Sequence, residues 1–263
     1  MARKVPWLDP KVPAFPDPES ALEHPDGLLA GGGSLDPRFM LTAYSQAIFP
    51  WFSEGEPILW WSPSERAVIE PGRLPISRSF SKTLRNKPWT VSLDENFDRM
   101  VDLCASMPRE GQDGTWISPQ MREAYARLYR LGCAHSVEVS FEGSFCGGLF
   151  GVKLGGMFFG ESMASMRPDA SKVALAHLCL GAPLLGVELV DCQMMTPHLE
   201  SMGASRWPRA RLRAEVERLV LEAEAENWGG RLDGFDVKAA AAGREKAAGA
   251  ERAADPRKAP PRP

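Results

Sequence analysis

The hydrophobic pattern in the middle of the chain predicts one helix followed by three consecutive strands. Residues 118–132 have apolar side chains three and four positions apart, with Ser-Pro at the start and Gly at the end, which is typical of an amphipathic helix. Three strand-like runs follow at 135–141, 144–152 and 156–163. The dipeptides Glu-Gly and Leu-Gly between these runs predict the turns of an antiparallel meander.

A second helix and a fourth strand are predicted after the meander. The stretch "SKVALAHLCLGAPLLG", residues 171–186, predicts a helix capped by Ser171, and "VELVDCQMM", residues 187–195, predicts a buried strand. This order of elements indicates an α+β fold whose central, mostly antiparallel sheet is flanked by helices. The candidate site residues lie at the ends of predicted strands.

Residues 1–66 are predicted to form a small N-terminal domain. The stretch "GLLAGGGSLDP" looks like a phosphate-binding loop, but no Gly-Lys-Ser/Thr follows it, so its glycines predict a turn. Asp36 and Pro37 predict the cap and first position of a helix over 37–47. The aromatic stretch "IFPWFSEGEPILWWSP" then indicates a small core between two domains, or a surface on which a nucleobase or bulky side chain stacks.

The larger domain is predicted over residues 67–236, and its last helix begins near Pro208. After Asp236 the composition changes to Ala, Lys, Arg and Pro, as in "AAAAGREKAAGAERAADPRKAPPRP". Such a segment has too few large apolar side chains to form a core. Residues 237–263 are therefore expected to be a disordered tail or a fraying helix.

The composition is that of an ordinary globular protein, with 44% hydrophobic residues, 25% charged residues and a net charge of −3. The N-terminus lacks the apolar core of a signal peptide, and no apolar run reaches membrane-spanning length. A cytoplasmic protein without membrane contact is expected. The five cysteines form no CxxC pair and the four histidines lack metal-ligand spacing, so neither a disulfide framework nor a metal site is expected.

Positive charge is concentrated in one short segment. No acidic residue occurs between Pro71 and Leu93, whereas five basic residues do. A solvated basic face and a binding site for nucleic-acid phosphates fit this run about equally well. The candidate phosphate contacts are Arg78, Lys82, Arg85 and Lys87.

Asp191 and Gln193 interrupt an otherwise apolar strand. In an extended chain, side chains two positions apart share one face and lie roughly 6.5–7 Å apart. Burying an acid and an amide without partners is costly, so either a hydrogen-bond network satisfies them or they face a cleft. Glu161, in "FFGESM", is a second acid at a strand end, and it is either a surface acid or a charge that recognises a cationic ligand.

The predicted order of elements is similar to the fold of GNAT-type acyltransferases. Enzymes of that kind hold the pyrophosphate of coenzyme A on glycine-rich backbone amides at the start of the helix after the third meander strand. The corresponding stretch here, "ASMRPDASK" at residues 164–172, lacks those glycines. Coenzyme A is therefore disfavoured, and no cofactor is expected.

A more specific resemblance extends from about residue 14 to about residue 210. The stretches "AIFPWFSEGEPILWWSP", "GTWIS", "GGLFGV", "FFGESM", "ASKVAL" and "DCQ" occur in the order typical of the leucyl/phenylalanyl-tRNA–protein transferase family, which the chain closely resembles. The resemblance implies transfer of Leu, Phe or Met from aminoacyl-tRNA to the N-terminal Arg or Lys of a protein. It also implies that the modified protein enters N-degron proteolysis.

The implied chemistry needs positioning more than covalent catalysis. Aminoacyl-tRNA is an activated ester, and the acceptor α-amine has a pKa of about 7.7–8.0, so a useful fraction is neutral at cytoplasmic pH. In the family, residues at the positions of Asp191 and Gln193 are proposed to act together on this amine. A neutral amide is a weak base, so we expect Gln193 to hold the amine and Asp191 to supply negative charge. Glu161 is expected to recognise the cationic acceptor residue.

The resemblance also assigns substrate-binding positions. The pocket for the donor side chain is expected to use residues that could equally be plain core: Leu149, Phe158, Met163, Leu175 and Leu178. Trp51 and Trp116 are expected near the terminal adenosine and the donor residue. Ser162 and Ser165 are candidates for binding the acceptor backbone or the tRNA 3′ end.

Two other functions stay open on the sequence. One is a GNAT-type acetyltransferase or a peptidoglycan aminoacyl transferase. The other is a tRNA-binding module without catalysis, which would keep the basic run and the tryptophans but would not need two carboxylates and an amide together. A monomer is expected.

Overall fold

The computed structural model describes residues 4–107, 115–220 and 227–254, and the strands in these ranges form two sheets. The smaller sheet has the order β1-β2-β4-β3. Its strands are Trp7–Leu8 (β1), Leu28–Gly32 (β2), Phe49–Pro50 (β3) and Leu59–Trp61 (β4). Helix α1, Pro37–Tyr44, connects β2 to β3.

Helix α1 begins where the sequence predicts. The Asp36 carboxylate accepts a hydrogen bond from the Phe39 amide at 3.1 Å, and Pro37 occupies the first turn. Gly33 allows this entry: it has φ 79°, and a Cβ there would lie 2.7 Å from the Phe39 ring. The rings of Phe39, Phe15 and fully buried Trp60 pack together, which confirms an aromatic core in this part of the chain.

The larger sheet has seven strands in the order β11-β5-β10-β9-β8-β7-β6. They are Glu65–Ile69 (β5), Trp89–Leu93 (β6), Ala134–Phe141 (β7), Ser144–Leu154 (β8), Met157–Ser165 (β9), Leu189–Asp191 (β10) and Ser205–Pro208 (β11). All neighbours are antiparallel except β9 and β10, which are parallel. The predicted α+β class with a mostly antiparallel sheet is confirmed.

Helices cover both faces of this sheet. They are Arg78–Asn86 (α2), Phe97–Ser106 (α3), Pro119–Arg130 (α4), Ala170–Leu180 (α5), Ala182–Leu185 (α6), Pro197–Ser201 (α7), Arg209–Val220 (α8) and Val237–Ala254 (α9). Helices α3, α4 and α8 share one core with the N-terminal sheet, while α2, α5 and α9 share the other. Strand β9 contributes to both, because Phe159 faces the first core and Phe158 the second.

A β-bulge interrupts the pairing of β8 with β9. Phe150 pairs with Ser162 and Gly151 pairs with Gly160, so Glu161 is an extra residue without a partner on β8. A bulge bends the strand and changes the direction of the side chain it carries. The sequence pattern predicts the strand but not this irregularity, which lies at the candidate site.

The predicted helix over 171–186 is two helices. Helix α5 begins at Ala170 after Asp169, whose φ is 75°, and no side chain caps it, so the predicted Ser171 cap is wrong. It ends before Gly181, and the short α6 then contains Pro183 in its first turn. Proline has no backbone N–H and clashes with the preceding turn, so one continuous helix cannot pass this point.

Of the two forms expected for residues 237–263, a disordered tail or a helix, the described part has the helical one, and 255–263 lie outside the described residues. Residues Val237–Ala254 form α9, which packs on α2 and α5. Ala241 is fully buried, and the Arg244 guanidinium donates to the Pro71 carbonyl at 3.3 Å. Because alanine side chains are small, they let a helix pack closely against its neighbours. A prediction of disorder that counts only large apolar residues does not include this contribution. The predicted domain boundaries at 66/67 and 236/237 stay predictions.

Candidate active site

Glu161 lies at the bulge of β9 with only 7% of its surface exposed. Strand β10 pairs with β9 as far as Asp191 and Phe159 and then ends, so within the described residues no strand pairs with the last part of β9 on that side. The resulting gap between the strands opens an edge of the sheet. Glu161 is therefore placed where a ligand can approach an otherwise buried carboxylate.

Three side chains donate hydrogen bonds to the Glu161 carboxylate. The Tyr44 hydroxyl donates to Oε1 at 2.8 Å and the Tyr125 hydroxyl to Oε2 at 2.5 Å. The Gln193 Nε2 amide donates to Oε1 at 3.0 Å. Helices α1 and α4 and the segment after β10 thus converge on one carboxyl group. A rigid set of donors fixes both its position and its orientation.

Burial raises the pKa of Glu161 to about 7. The hydrogen bonds from Tyr125, Tyr44 and Gln193 stabilise the charged form and oppose this rise, whereas the nearby charge of Asp191 adds to it. The pKa of Tyr44 and that of Tyr125 are raised well above 10, first by burial and then by the Glu161 charge. The tyrosines thus stay protonated donors, while Glu161 titrates near neutral pH.

Asp191 is fully buried and forms an ion pair with Arg66, which is 1% exposed. A second nitrogen of this guanidinium, Nη1, donates to the Ala47 carbonyl at 2.6 Å, and the guanidinium lies over the Phe49 ring. Burial raises the pKa of Asp191, and the Arg66 charge opposes the rise. Because arginine is always protonated, this contact keeps the Asp191 carboxylate charged at neutral pH.

The structure corrects the geometry predicted for Asp191 and Gln193. Strand β10 ends at Asp191, and Gln193 has φ 62°, so the two side chains do not share one face of a strand. Instead, Asp191 Oδ1 accepts a hydrogen bond from the Gln193 backbone amide at 2.9 Å. Asp191 is closed to solvent and stabilises the turn that aims the Gln193 side chain at Glu161.

A mainly apolar cavity of about 230 Å³ lies beside Glu161. The predicted residues Leu149, Phe158, Met163, Leu175, Leu178 and Ser162 all line it. Pockets for drug-sized ligands measure roughly 300–1,000 Å³, so this one suits a single amino-acid side chain better. Thr196 and His198, for which the sequence suggests no definite role, also lie on its wall.

Three predicted substrate contacts lie away from this cavity. Trp51 packs against Trp61, with ring centroids 5.5 Å apart, and the Ser165 hydroxyl accepts a hydrogen bond from the Ser171 amide at 2.9 Å. Trp116 lies edge-on to Tyr125 at 6.3 Å, so it is one residue removed from Glu161. Their roles stay predictions.

Sequence reasoning missed Arg66, Tyr44 and Tyr125. Tyr125 lies on the apolar side of α4, and because a buried tyrosine needs a partner for its hydroxyl, its burial is a signal for a polar contact such as the one to Glu161. Arg66 lies in β5, Glu65–Ile69, where the residues that follow it are apolar and buried. A long cationic side chain in such a stretch indicates a buried acid elsewhere in the fold.

The basic segment forms an exposed face on and after α2. Ser77 caps the helix, and Lys82 and Arg85 project from it without an ion-pair partner among the described residues. Arg78 lies 3.9 Å from Glu245, and Lys87 lies 3.6 Å from Asp169. The face is therefore only partly neutralised.

The described residues hold neither a cluster of three or more potential metal ligands nor a helix long and apolar enough to cross a membrane.

Comparisons with solved structures return partial overlaps at low identity. L-PGS from Bacillus licheniformis overlaps 73% of this chain and 71% of its own, with a TM-score of 0.40 and 11% identity. A GCN5-related N-acetyltransferase from Kribbella flavida overlaps 66% of this chain and 61% of its own, with a TM-score of 0.37 and 11% identity.

Sequence comparisons are far more specific. The family model described as leucyl/phenylalanyl-tRNA protein transferase matches residues 68–217, and the model of its N-terminal domain matches 33–64. A leucyl/phenylalanyl-tRNA–protein transferase of Chromobacterium violaceum is 54% identical over 76% of this chain and 85% of its own. A leucyl/phenylalanyl-tRNA–protein transferase of Xanthomonas axonopodis pv. citri is 50% identical over 88% of this chain and 94% of its own. The chain therefore belongs to the leucyl/phenylalanyl-tRNA–protein transferase family of aminoacyltransferases.

Proposed function

We propose that this protein transfers Leu, Phe or Met from aminoacyl-tRNA to the α-amine of an N-terminal Arg or Lys, which marks the acceptor protein for N-degron proteolysis. The observation that carries the proposal is the placement of Glu161. A carboxylate held by two tyrosines and an amide lies at the wall of an apolar cavity that fits one side chain. The family relationship supports aminoacyl-tRNA as the donor.

The cavity is proposed to hold the donor side chain. Its wall from β8, β9 and α5 is apolar, which favours Leu, Phe and Met and penalises charged or strongly polar side chains. With that side chain inserted, the ester carbonyl carbon, which is bonded to the same Cα as the side chain, would lie at the mouth of the cavity, close to Glu161. This arrangement positions the reacting ester, and positioning alone can lower a barrier by about 7–11 kcal/mol in favourable cases.

Glu161 is proposed to accept the proton that the acceptor amine releases. Asp191 is buried in its ion pair and the Gln193 amide is not basic, so neither is suited to that step. A base works best when its pKa lies near the working pH, and burial brings the pKa of Glu161 to about 7. In its ionised form the same carboxylate attracts a cationic acceptor terminus.

The reaction then needs no covalent intermediate. The neutral amine nitrogen attacks the ester carbonyl carbon, a C–N bond forms, and the C–O bond to the ribose of the terminal adenosine breaks. The proton lost by the nitrogen goes to Glu161, and Glu161 then passes it to the ribose oxygen, which leaves as a hydroxyl while the carboxylate is regenerated. Gln193 holds the amine during the attack, and the basic face on α2 binds the tRNA.

The test is a transfer assay with purified protein, radiolabelled Leu-, Phe- or Met-tRNA and peptides that differ only in their first residue. We expect label on peptides beginning with Arg or Lys and none on a peptide beginning with Ala. An N-acetylated Arg peptide serves as the control that the α-amine is the acceptor. Acetyl transfer from acetyl-CoA in place of aminoacyl transfer, or tRNA binding without any transfer, would overturn the proposal.

A further inference from the structure

A groove of about 760 Å³ runs between α2 and α9. It is lined by residues from the segment before α2, from α2 itself and from α9: Ile76, Ser77, Arg78, Arg85, Ala242, Glu245 and Lys246. Helix α9 lies beyond residue 217, where the match to the family model ends. One wall of the groove thus belongs to a part of the chain outside that match.

Helix α9 is a fixed wall of this groove. Fully buried Ala241 packs into the core shared with α2 and α5, and Arg244 donates to the Pro71 carbonyl at 3.3 Å. The segment before α9 is anchored as well. Trp228 is fully buried and stacks on His135 at 4.3 Å and on Phe158 at 5.6 Å. The position of the α9 cations is therefore set by core packing.

The charge in the groove is predominantly positive. Among the side chains that the structure describes in this groove, Arg78, Arg85 and Lys246 face one carboxylate, that of Glu245. The contact between Glu245 and Arg78 is long, at 3.9 Å, and the Arg78 side chain is 93% exposed, so the pair is weak. Exposed Lys82 extends the same face along α2. In a protein with a net charge of −3, this is a local site for a polyanion.

We propose that the α2–α9 groove binds the phosphate backbone of the tRNA, with Lys246 of α9 making a contact in addition to those of α2. This rests on the proposed function, which supplies an RNA partner, and charge complementarity selects the backbone as the feature bound. Because α2 carries Arg78 and Arg85 and α9 carries Lys246, the groove has cations on both walls and contacts phosphates from two sides. Helix α2 alone would contact them from one side. The chain thus uses its C-terminal helix to enlarge the RNA-binding surface.

The test compares charge reversals on the same helix in the full-length protein. Lys246→Glu changes the groove, while Lys238→Glu makes the same charge change at an exposed position of α9 that does not line it. Binding of uncharged tRNA is measured at several salt concentrations. We expect Lys246→Glu to weaken binding roughly three- to tenfold more than Lys238→Glu does and to reduce the salt slope by about one. Glu245→Gln removes a carboxylate from the groove wall and should tighten binding.

The outcomes separate this proposal from the proposed function. Equal effects of Lys246→Glu and Lys238→Glu, or weaker binding by Glu245→Gln, would overturn the groove assignment even if the wild-type protein transfers Leu and Lys82→Glu weakens tRNA binding. A wild-type protein that neither binds tRNA nor transfers an amino acid would overturn the proposed function itself. Circular dichroism of each variant checks that α9 is intact.

Discussion

Arg66 and Asp191 form an ion pair that is closed to solvent, although the two residues are 125 positions apart in the chain. This pair changes the role expected for Asp191, which does not line the apolar cavity beside Glu161. Asp191 instead accepts a hydrogen bond from the Gln193 backbone N–H, and the Gln193 side-chain amide donates a hydrogen bond to Glu161. The proposed chemistry therefore depends on Glu161, while Asp191 and Arg66 stabilise the turn that carries Gln193.

Arg66→Met should destabilise the protein strongly. It leaves the Asp191 charge buried without its partner, which costs about 3–5 kcal/mol. The neighbouring strand provides a control, because Arg206 pairs with Glu65 at 3.7 Å with both side chains exposed, so Arg206→Met should cost less than about 1 kcal/mol. Urea unfolding measures both. If the two variants lose similar free energies of unfolding, the buried pair does not contribute more to stability than the exposed pair.

Tyr125→Phe should move the pH dependence of transfer upward. The Tyr125 hydroxyl stabilises the charged form of Glu161, so its removal raises the pKa of Glu161 above about 7. If Glu161 acts as the base, the rising limb of kcat/KM against pH shifts to higher pH. The acceptor amine titrates identically in both proteins, so the difference between the profiles reports on Glu161. Unshifted profiles would exclude Glu161 as the base.

Glu161→Gln should abolish most of the transfer while leaving the fold intact. Loss of a positioned general base lowers the rate typically by 10²–10⁴-fold. The amide can keep hydrogen bonds to its neighbours, so tRNA binding should be unchanged. Single-turnover transfer and filter binding of the same aminoacyl-tRNA measure the two effects. Weakened tRNA binding with a normal rate of transfer would contradict this assignment.

The same substitution should change how stability depends on pH. The pKa of Glu161 is about 7 in the folded protein, above the 4.5 of an exposed glutamate, so the folded state holds a proton that the unfolded state has lost. The free energy of unfolding therefore falls as the pH rises from about 4.5 to 7, by up to about 3 kcal/mol. Glu161→Gln removes this fall.

Urea unfolding of both proteins at pH 5 and pH 8 tests the prediction. Burial lowers the pKa of His177 to about 4, which works in the opposite direction between about pH 4 and 6.5. That contribution is common to both proteins and cancels in their difference. Parallel pH dependence in the wild type and the variant would mean that Glu161 is not perturbed.

Met163→Trp should reduce Phe transfer more than Leu transfer. Met163 lines the cavity, and a larger side chain there removes space that the bulkier donor needs more. Met166→Trp is the matched control, since Met166 lies three residues further on, is 54% exposed and does not line the cavity. Rates with Leu-tRNA and Phe-tRNA are compared for each variant. Equal loss with both donors would argue against a donor pocket here.

The sequence by itself determined the order of helix, meander, helix and strand between residues 118 and 191 and half of the cavity wall. Helix α4 begins after the Ser118 cap as predicted, the three meander strands match within two residues, and Leu149 and Met163 line the cavity. The helix cap and the strands depend on interactions within one turn of a helix or along one strand, whereas the cavity positions were implied by the family resemblance. Residues close together in the chain carry the information that specifies the cap and the strands.

The tertiary structure alone decided how the polar groups meet. Tyr44 reaches Glu161 across 117 positions and Arg66 reaches Asp191 across 125, and no periodicity relates residues so far apart. The bulge at Glu161 and the left-handed turn at Gln193 depend on how β8, β9 and β10 pair. Packing of whole elements sets these contacts, because a buried charge or hydroxyl is stable only where the fold brings it a partner.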